Sequence, residues 1–558
     1  MSKKLKECSK EELLEIIKQL KSRKKFGLVW EDKPEKVVEQ CKQELPVLEE
    51  VTNRAITRVD DIPTNLIIEG DNYHSLSVLN YTHAGKVDVI YIDPPYNTGS
   101  KDWQYNNDYV DSNDTYRHSK WLSFMDKRLK LAKNLLSERG VLVCTIDDNE
   151  HAALGVLFRE LFPDKEIVCV TIVHNPGGIQ GKNFSYCHEY AYFIYPKNGT
   201  YISTIKREEM APTPMRDWGK ESSKRIAAKN CFFPIFVKNE QVIGFGAVSD
   251  NSFHPTSANN QLSDGVVEVY PVDKSGIERK WRFSRQSIGS IRDELICQKN
   301  KGEYVIVRAK KDFRWKTVWT DTKYSANVYG TQLLNRIIVP KFPFPKSLYA
   351  VEDCIRAVIH NKEHAVILDF FAGSGTTGHA VLELNKEDGG KRQFILCTNN
   401  EDNNGSGTKI AEDICYPRVK NVIEGYAGIQ GIPTNLRYFK TAFVKKSEVS
   451  DDTRYQLVQR SADMICVRED TYEHVEDKQD YKIFQNSNSY TAILYSLDAL
   501  AALKQQLSKL EDKPVHIYVF SLTNDTHDAD FADLKQEHKL CPIPESILEV
   551  YRKIFGSK

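Results

Sequence analysis

The 558-residue sequence predicts an α/β fold: an open, twisted, mostly parallel sheet with helices on both faces. Three observations predict it. The apolar run Asn65–Glu69, the helical stretch Tyr73–Tyr81 and a second apolar run Val87–Ile92 follow one another. That is the strand–helix–strand order that makes parallel neighbours. Far along the chain, Ala365–Leu368 is a short apolar strand, Asp369–Thr377 a Gly-rich turn, and His379–Leu384 continues with helical spacing. Finally, a chain of this length buries a large core and divides into two or three domains.

Taken in order, Ser9-Lys-Glu-Glu12 is a capping box before Leu13, Leu14, Ile16, Ile17 and Leu20, an amphipathic opening helix. Residues 22–60 are charged and mixed, an arm expected to pack on the main domain. The strand at Asn65–Glu69 ends in Gly70-Asp71-Asn72, which puts Asp71 at the same carboxyl edge as Asp93. His118–Glu138 is a long predicted helix, with Leu122, Met125, Leu129, Leu131 and Leu135 on or near one face. The strand Val141–Ile146 ends in Asp147-Asp148-Asn149-Glu150. That acidic cluster reads as caps for a helix at His151–Leu161 rather than as a metal site. Residues 200–325 turn irregular and polar, as at Thr213–Lys224 and His254–Gly265. Helix Gln332–Ile338 and Pro343–Lys346 lead back to the main fold. Gln393–Thr398 is the next strand, Asn399–Gly407 an acidic, Asn-rich loop, and Lys409–Gly425 a helix. Beyond Tyr438, Tyr490–Leu497 and Val515–Ser521 are β-rich and Leu500–Leu510 and Pro544–Phe555 helical.

The strand at Val87–Ile92 delivers Asp93-Pro94-Pro95-Tyr96. A carboxylate and the Pro94 carbonyl make an acceptor pair, and Tyr96 offers an aromatic face. Two prolines stiffen the turn, because each fixes φ and Pro95 also restricts Pro94. This set suits catalysis at the exocyclic amine of a nucleic-acid base, a poor nucleophile with a delocalised lone pair. Fixed acceptors stabilise the positive charge that such a nitrogen develops, and Tyr96 can stack on a base taken out of its duplex. An ordinary strand-ending turn uses the same residue types. In the Gly-rich turn, Gly373 and Gly375 let the backbone approach a ligand, and Ser374, Thr376 and Thr377 set hydroxyls near a helix start. The turn is neither the dinucleotide fingerprint nor a P-loop, since no Lys follows the glycines.

Together these segments resemble the amino-group DNA methyltransferases dependent on S-adenosyl-L-methionine. The class is the one in which Asp-Pro-Pro-Tyr precedes Phe-x-Gly-x-Gly (the beta class), here Phe371-Ala372-Gly373-Ser374-Gly375. More closely, the chain resembles the modification (Mod) subunit of type III restriction–modification systems. Asp93–Gly99, Tyr116–Leu129, Ile146–Glu150, His188–Tyr190, Phe344–Ser347, Ile367–Thr377 and Tyr416–Lys420 carry that likeness.

The resemblance implies a Rossmann-like methyltransferase fold with permuted motif order, an inserted target-recognition domain and a C-terminal α/β domain. The divisions it suggests are an arm at 1–60, a catalytic half at 61–200, target recognition at 201–325, a cofactor-binding half at 326–435 and a last domain at 436–558. It implies site-specific methylation of adenine N6 in a flipped-out base of double-stranded DNA, with Asp93, Pro94, Pro95 and Tyr96 as the catalytic set. Cytosine N4 is the alternative base, and a non-catalytic DNA-reading subunit or a methylase of protein or RNA amides are rival classes. For the cofactor it implies Asp369, Phe371, Ala372, Gly373, Ser374, Gly375, Thr376 and Thr377. Pro345, Lys346 and Ser347 would pack near its methionine end, and Asp71 would meet its adenine unless it is a plain turn residue. Asn399 and Glu401 are the expected ribose ligands. A homodimer and a helicase–nuclease restriction subunit are the implied partners. His188 is expected to be structural, since methyl transfer needs no imidazole.

Global charge favours no partner, because 77 Lys and Arg offset 77 Asp and Glu. Locally, Arg279–Lys316 carries twelve basic residues against four acids. Arg279, Lys280, Arg282, Arg285, Arg308, Lys310, Lys311, Arg314 and Lys316 are its candidate phosphate contacts, with aromatics between them. A solvated strand-rich surface is the competing explanation. The 12 cysteines show no zinc spacing, so no metal is expected and a reducing cytoplasm is. The start of the sequence lacks the apolar core of a signal peptide, and no apolar run reaches the ~18 residues of a membrane span.

Overall fold

The structure, a computed structural model, describes residues 9–10, 13–14, 30, 34–57, 59, 62–97, 117–206, 212–310, 312–339, 342–359, 362–400, 407–447, 449–522 and 525–556. Most of the expected opening helix, with Glu12 of its capping box, lies outside them, as do Lys311 and Glu401. The chain forms two units, one of residues 1–203 with 316–558 and one of residues 204–315.

The larger unit is built on a ten-stranded sheet. Its strands in chain order are β1 (Glu44–Glu50), β2 (Thr64–Glu69), β3 (Val87–Ile92), β4 (Leu136–Ile146), β5 (Lys165–Val173), β6 (His188–Pro196), β7 (Val318–Trp319), β8 (Val366–Asp369), β9 (Gln393–Thr398) and β10 (Asn435–Lys445). They lie side by side as β1-β10-β2-β9-β8-β3-β4-β6-β5-β7. The six from β10 to β4 are mutually parallel. Beyond these six, β1 runs antiparallel to β10, and β6 runs antiparallel to both β4 and β5. Central strands are buried on both faces, as Leu66–Ile68, Val89–Ile92 and Phe394–Cys397 show. That is why they read as unbroken apolar runs rather than alternating ones.

The connecting helices are α1 (Asn72–Thr82), α2 (Arg117–Lys133), α3 (His151–Leu161), α4 (Leu348–Ile359), α5 (Thr376–Asp388) and α6 (Tyr416–Glu424). From β3 the chain winds through α2 to β4 on one side; from β8 it winds through α5 to β9 on the other. Strand order therefore reverses between β8 and β3, which pair directly (Ile367 with Val89, Leu368 with Ile90). Such a reversal opens a crevice at the carboxyl ends of the two strands, where open α/β sheets bind ligands. The permuted order expected of the fold is the observed one.

Two boundaries differ from expectation. Helix α2 stops at Lys133, and Leu136–Glu138 already belongs to β4; Leu135 continued the helical stripe only because it is buried in the same core. The tail does not begin a separate body at 436. Residues 435–445 form β10, between β1 and β2. Met464, Phe484, Ile493 and Tyr551 share one core with Val47, Leu48 and Leu76. The apolar run of β10 carries no mark of which sheet it joins. A five-stranded sheet follows, Glu473–Asp477, Tyr481–Gln485, Tyr490–Leu494, Val515–Phe520 and His538–Ile543.

The smaller unit, 204–315, begins a few residues inside the irregular region read from sequence and ends ten residues before its expected end at 325. Three- and four-stranded antiparallel sheets surround Phe233, Ile235, Trp281 and Ile288. Among the described residues no helix is long and apolar enough to cross a membrane.

Candidate active site

The crevice between β3 and β8 is a cavity of about 1100 Å³. Asp93, Pro94, Pro95 and Tyr96 line it on one side, and Asp369, Phe371, Ala372, Gly373, Ser374, Thr376 and Thr377 on the other. The two sequence motifs thus meet in one chamber, and β3–β8 pairing is the cause.

On the β3 side, Asp93 Oδ1 accepts from Thr145 Oγ1 of the neighbouring strand at 2.6 Å and from the Tyr96 hydroxyl at 2.8 Å. Lys346 Nζ lies 3.3 Å from the same oxygen. The Tyr96 hydroxyl is 3.0 Å from Glu189 Oε2, and Lys346 Nζ also contacts both Glu189 and Tyr96. Burial pushes the Asp93 carboxyl up, with the Lys346 ammonium pulling against it. Burial by itself would lower Lys346, yet Asp93 and Glu189 outweigh it and hold the ammonium at about 12. Glu189 falls below its usual range because Lys346 and His174 overcome its own burial. Behind the turn, Trp121 Nε1 of α2 donates to the Pro95 carbonyl at 2.7 Å. Glu150, fully buried, accepts from Asn97 and lies 2.6 Å from His118 Nδ1. Its carboxylate therefore braces the turn that follows β3 instead of capping α3, where the expected side-chain cap is absent.

On the β8 side, Asp369 organises the turn. The Phe371 amide donates to Oδ1 at 2.9 Å and Thr377 Oγ1 to Oδ2 at 2.5 Å. Gly373 (φ +49°) lies in the cavity wall. Gly375 (φ +76°) does not; its left-handed backbone calls for glycine, and a Cβ there would also sit 3.2 Å from Cys415 Sγ. Arg418 of α6, fully buried, donates to Thr376 Oγ1 at 2.7 Å and Ser374 Oγ at 3.1 Å. Burial pushes the Asp369 carboxyl up to about 7. A carboxyl raised in the folded state favours folding below its unfolded value of 3.8 and loses that contribution as pH rises toward about 7. Asp369→Asn lacks this loss. Its stability relative to wild type, followed by urea titration, is expected to rise between about pH 4 and pH 7; a difference independent of pH would refute the assignment.

Other expected residues fall elsewhere. Asp71 caps α1, accepting from the Tyr73 amide at 2.7 Å, and pairs with Arg128 at 3.2 Å; it is not in the cavity wall. Pro345 and Lys346 are in that wall, whereas Ser347 is buried and donates to the Lys323 carbonyl at 2.9 Å. Asn399 is buried at the end of β9, outside the wall. In the basic stripe, Arg279 pairs with Asp273 at 2.8 Å, Lys280 with Asp217 at 3.7 Å and Arg308 with Glu294. Arg285 donates to the Gly246 carbonyl at 2.6 Å, and Lys310 lies over the Phe313 ring. Arg282, Arg314 and Lys316 are exposed. Trp281 is core.

The stretch of chain that builds this cavity is similar to known proteins. A family model described as DNA methylase matches residues 87–416. The type III restriction-modification enzyme EcoPI Mod subunit of Escherichia phage P1 is 30% identical over 389 residues, 60% of this chain and 58% of that protein. The type II methyltransferase M.KpnI of Klebsiella pneumoniae is 30% identical over 359 residues, 61% of this chain and 82% of that protein. The type III StyLTI Mod subunit of Salmonella typhimurium is 30% identical over 402 residues, 64% of this chain and 57% of that protein. The chain thus spans a little over half the length of the Mod subunits that it matches. The family match runs from the strand that delivers Asp93 to the start of the helix that carries Arg418, more than half of the sequence: the chain belongs to the DNA methylase family.

Proposed function

We propose that the chain methylates N6 of a flipped-out adenine in double-stranded DNA, with S-adenosyl-L-methionine as donor, as the modification subunit of a type III-like restriction–modification system. The observation that carries this reading is the single cavity shared by Asp93–Tyr96 and Asp369–Thr377. The names of the matched relatives, Mod subunits among them, support the system.

The wall fits such a donor. Gly373, with its positive φ, leaves a cradle beside Phe371, Ala372 and the hydroxyl of Thr376, and these residues with Pro345 would hold it. When bound, the donor supplies a methyl group already activated by a sulfonium. The protein's own task is on the acceptor side. Asp93 and the Pro94 carbonyl accept the two N–H bonds of the amine and fix its lone pair toward the Gly-rich wall. Charge that grows on nitrogen meets a carboxylate already in place, and alignment removes much of the entropic barrier. Asp93 then takes the proton, which becomes acidic only as nitrogen turns cationic.

Gly373→Val is expected to weaken calorimetric cofactor binding at least about tenfold, because a β-branched residue is strained at positive φ and would fill the cradle. Unchanged affinity would remove Gly373 from the site. We read the exposed Arg282, Arg314 and Lys316 as DNA phosphate contacts, a homodimer as the working form and a helicase–nuclease subunit as partner. The cytoplasm is its expected place. Mass spectrometry of nucleosides from cells expressing this chain alone tests the core of the proposal. N6-methyladenine is expected; N4-methylcytosine would change the base, and no methylated nucleoside would overturn the reading.

A further inference from the structure

The acceptor corner holds one cation and one carboxylate more than that chemistry uses. The Lys346 ammonium has three N–H donors and three acceptors in reach: Asp93 Oδ1 at 3.3 Å, Glu189 Oε2 and the Tyr96 hydroxyl. It also lies 4.5 Å from the centroid of the Tyr96 ring. These are two of the three features that an incoming base needs, the Asp93 acceptor and the aromatic face, the Pro94 carbonyl being the third. Lys346 therefore stands where the target amine would go, a charged N–H donor in place of a neutral one.

An ammonium paired with Asp93 alone would do harm twice. It would block the acceptor, and it would cancel the charge that stabilises nitrogen as it becomes cationic. Glu189 alters both terms. Its side chain is 5% exposed and that of Lys346 13%, so neither is a screened surface charge. Two carboxylates and one ammonium leave the corner net negative. Thr145, Tyr96 and Lys346 all converge on Asp93 Oδ1, one donor more than its two lone pairs accommodate well. Lys346 is the most distant of the three and has Glu189 as a second seat.

We propose that Glu189 and Lys346 are a positioning pair: Lys346 holds the place of the target amine in the free site, and Glu189 draws the ammonium off Asp93 when the amine arrives. This rests on the reading that the cavity methylates a DNA base. The sequence offered a signal for it, since Glu189 directly precedes the strand residues Tyr190-Ala191-Tyr192-Phe193-Ile194, and an acid there is buried only with a partner.

The test uses the full chain and a duplex carrying the site mapped from methylated cellular DNA. Glu189→Gln is expected to lower kcat about 100-fold, the scale of losing one preorganised charge interaction, while duplex affinity by anisotropy changes less than about threefold. Adding Lys346→Met to Glu189→Gln is expected to restore kcat at least about tenfold, because the trapped ammonium is gone; a structural role makes the two losses multiply instead. A second measurement needs only Lys346→Met. Its preference in binding for adenine over purine, which lacks the exocyclic amine, should widen at least about fivefold, since the amine no longer competes with a cation for Asp93. A Glu189→Gln kcat within about threefold of wild type, a double variant no better than that single one, or an unchanged adenine preference would each overturn the pair. Wild-type chain that methylates no duplex would instead refute the reading beneath it.

Discussion

Asp93→Ala is expected to lower methyl transfer by at least about 10³-fold, at or beyond the usual loss for a single preorganised group, while calorimetric affinity for the cofactor stays within about threefold of wild type. The two halves of this expectation come from different walls of one cavity. Asp93 ends β3 and touches Thr145, Tyr96 and Lys346. The Gly-rich wall is held by Asp369 and Arg418, neither of which bonds to Asp93. Removing the carboxylate leaves Lys346 paired with Glu189 and the corner without net negative charge. An amine that gains a methyl group there becomes cationic beside an ammonium. Asp93→Asn keeps the shape and one acceptor oxygen but not the charge, so it separates hydrogen bonding from electrostatics. It should recover less than about tenfold of the lost rate if charge dominates. A tritiated-methyl assay that finds Asp93→Ala turning over at a tenth of the wild-type rate or more would remove Asp93 from the chemistry.

How much of this was legible in the sequence depends on how each feature is encoded. Asp93–Tyr96 and Asp369–Thr377 are contiguous, and strand-ending turns deliver their own side chains to the carboxyl edge of a sheet. Their meeting was also legible, because a βαβ series and a permuted order leave few neighbours for β3. The convergence of Thr145, Glu189 and Lys346 on Asp93 was not. Thr145 comes from β4, Glu189 from β6 and Lys346 from the segment before α4, and only strand pairing brings them together. Arg418 was hidden in a helix whose inward face also carries Val419, Val422 and Ile423; a cation on such a stripe signals a buried partner, here the Gly-rich turn. The basic stripe was legible only as a count. Counting charges says nothing of their neighbours, and Arg279, Lys280 and Arg308 face acids of their own unit.

The arm before β2 was expected to pack on the main fold, and the side chain that ties it there carries the largest expected effect on stability. Arg128 of α2 is fully buried. It donates to Glu35 at 2.9 Å, to Asp71 at 3.2 Å, to the Phe124 carbonyl at 3.1 Å and to Asn72. Its guanidinium carbon lies 3.7 Å from the centroid of the Phe124 ring. One planar cation thus joins the arm, the cap of α1 and helix α2. Arg128→Met is expected to cost about 3–5 kcal/mol, because it leaves two buried carboxylates without their shared cation. Lys127, 3.5 Å from Glu35, moderates the loss at one of them, so the lower end of that range is the better expectation. Arg128→Lys should not restore stability, since a point charge cannot satisfy four acceptors set around a planar fork. By contrast Lys42→Ala, which breaks an exposed pair with Glu39, should cost less than about 1 kcal/mol. Denaturant unfolding of the three variants distinguishes the two situations. If Arg128→Met and Lys42→Ala lose similar stability, burial does not set the worth of this network and the arm is held by its apolar contacts alone.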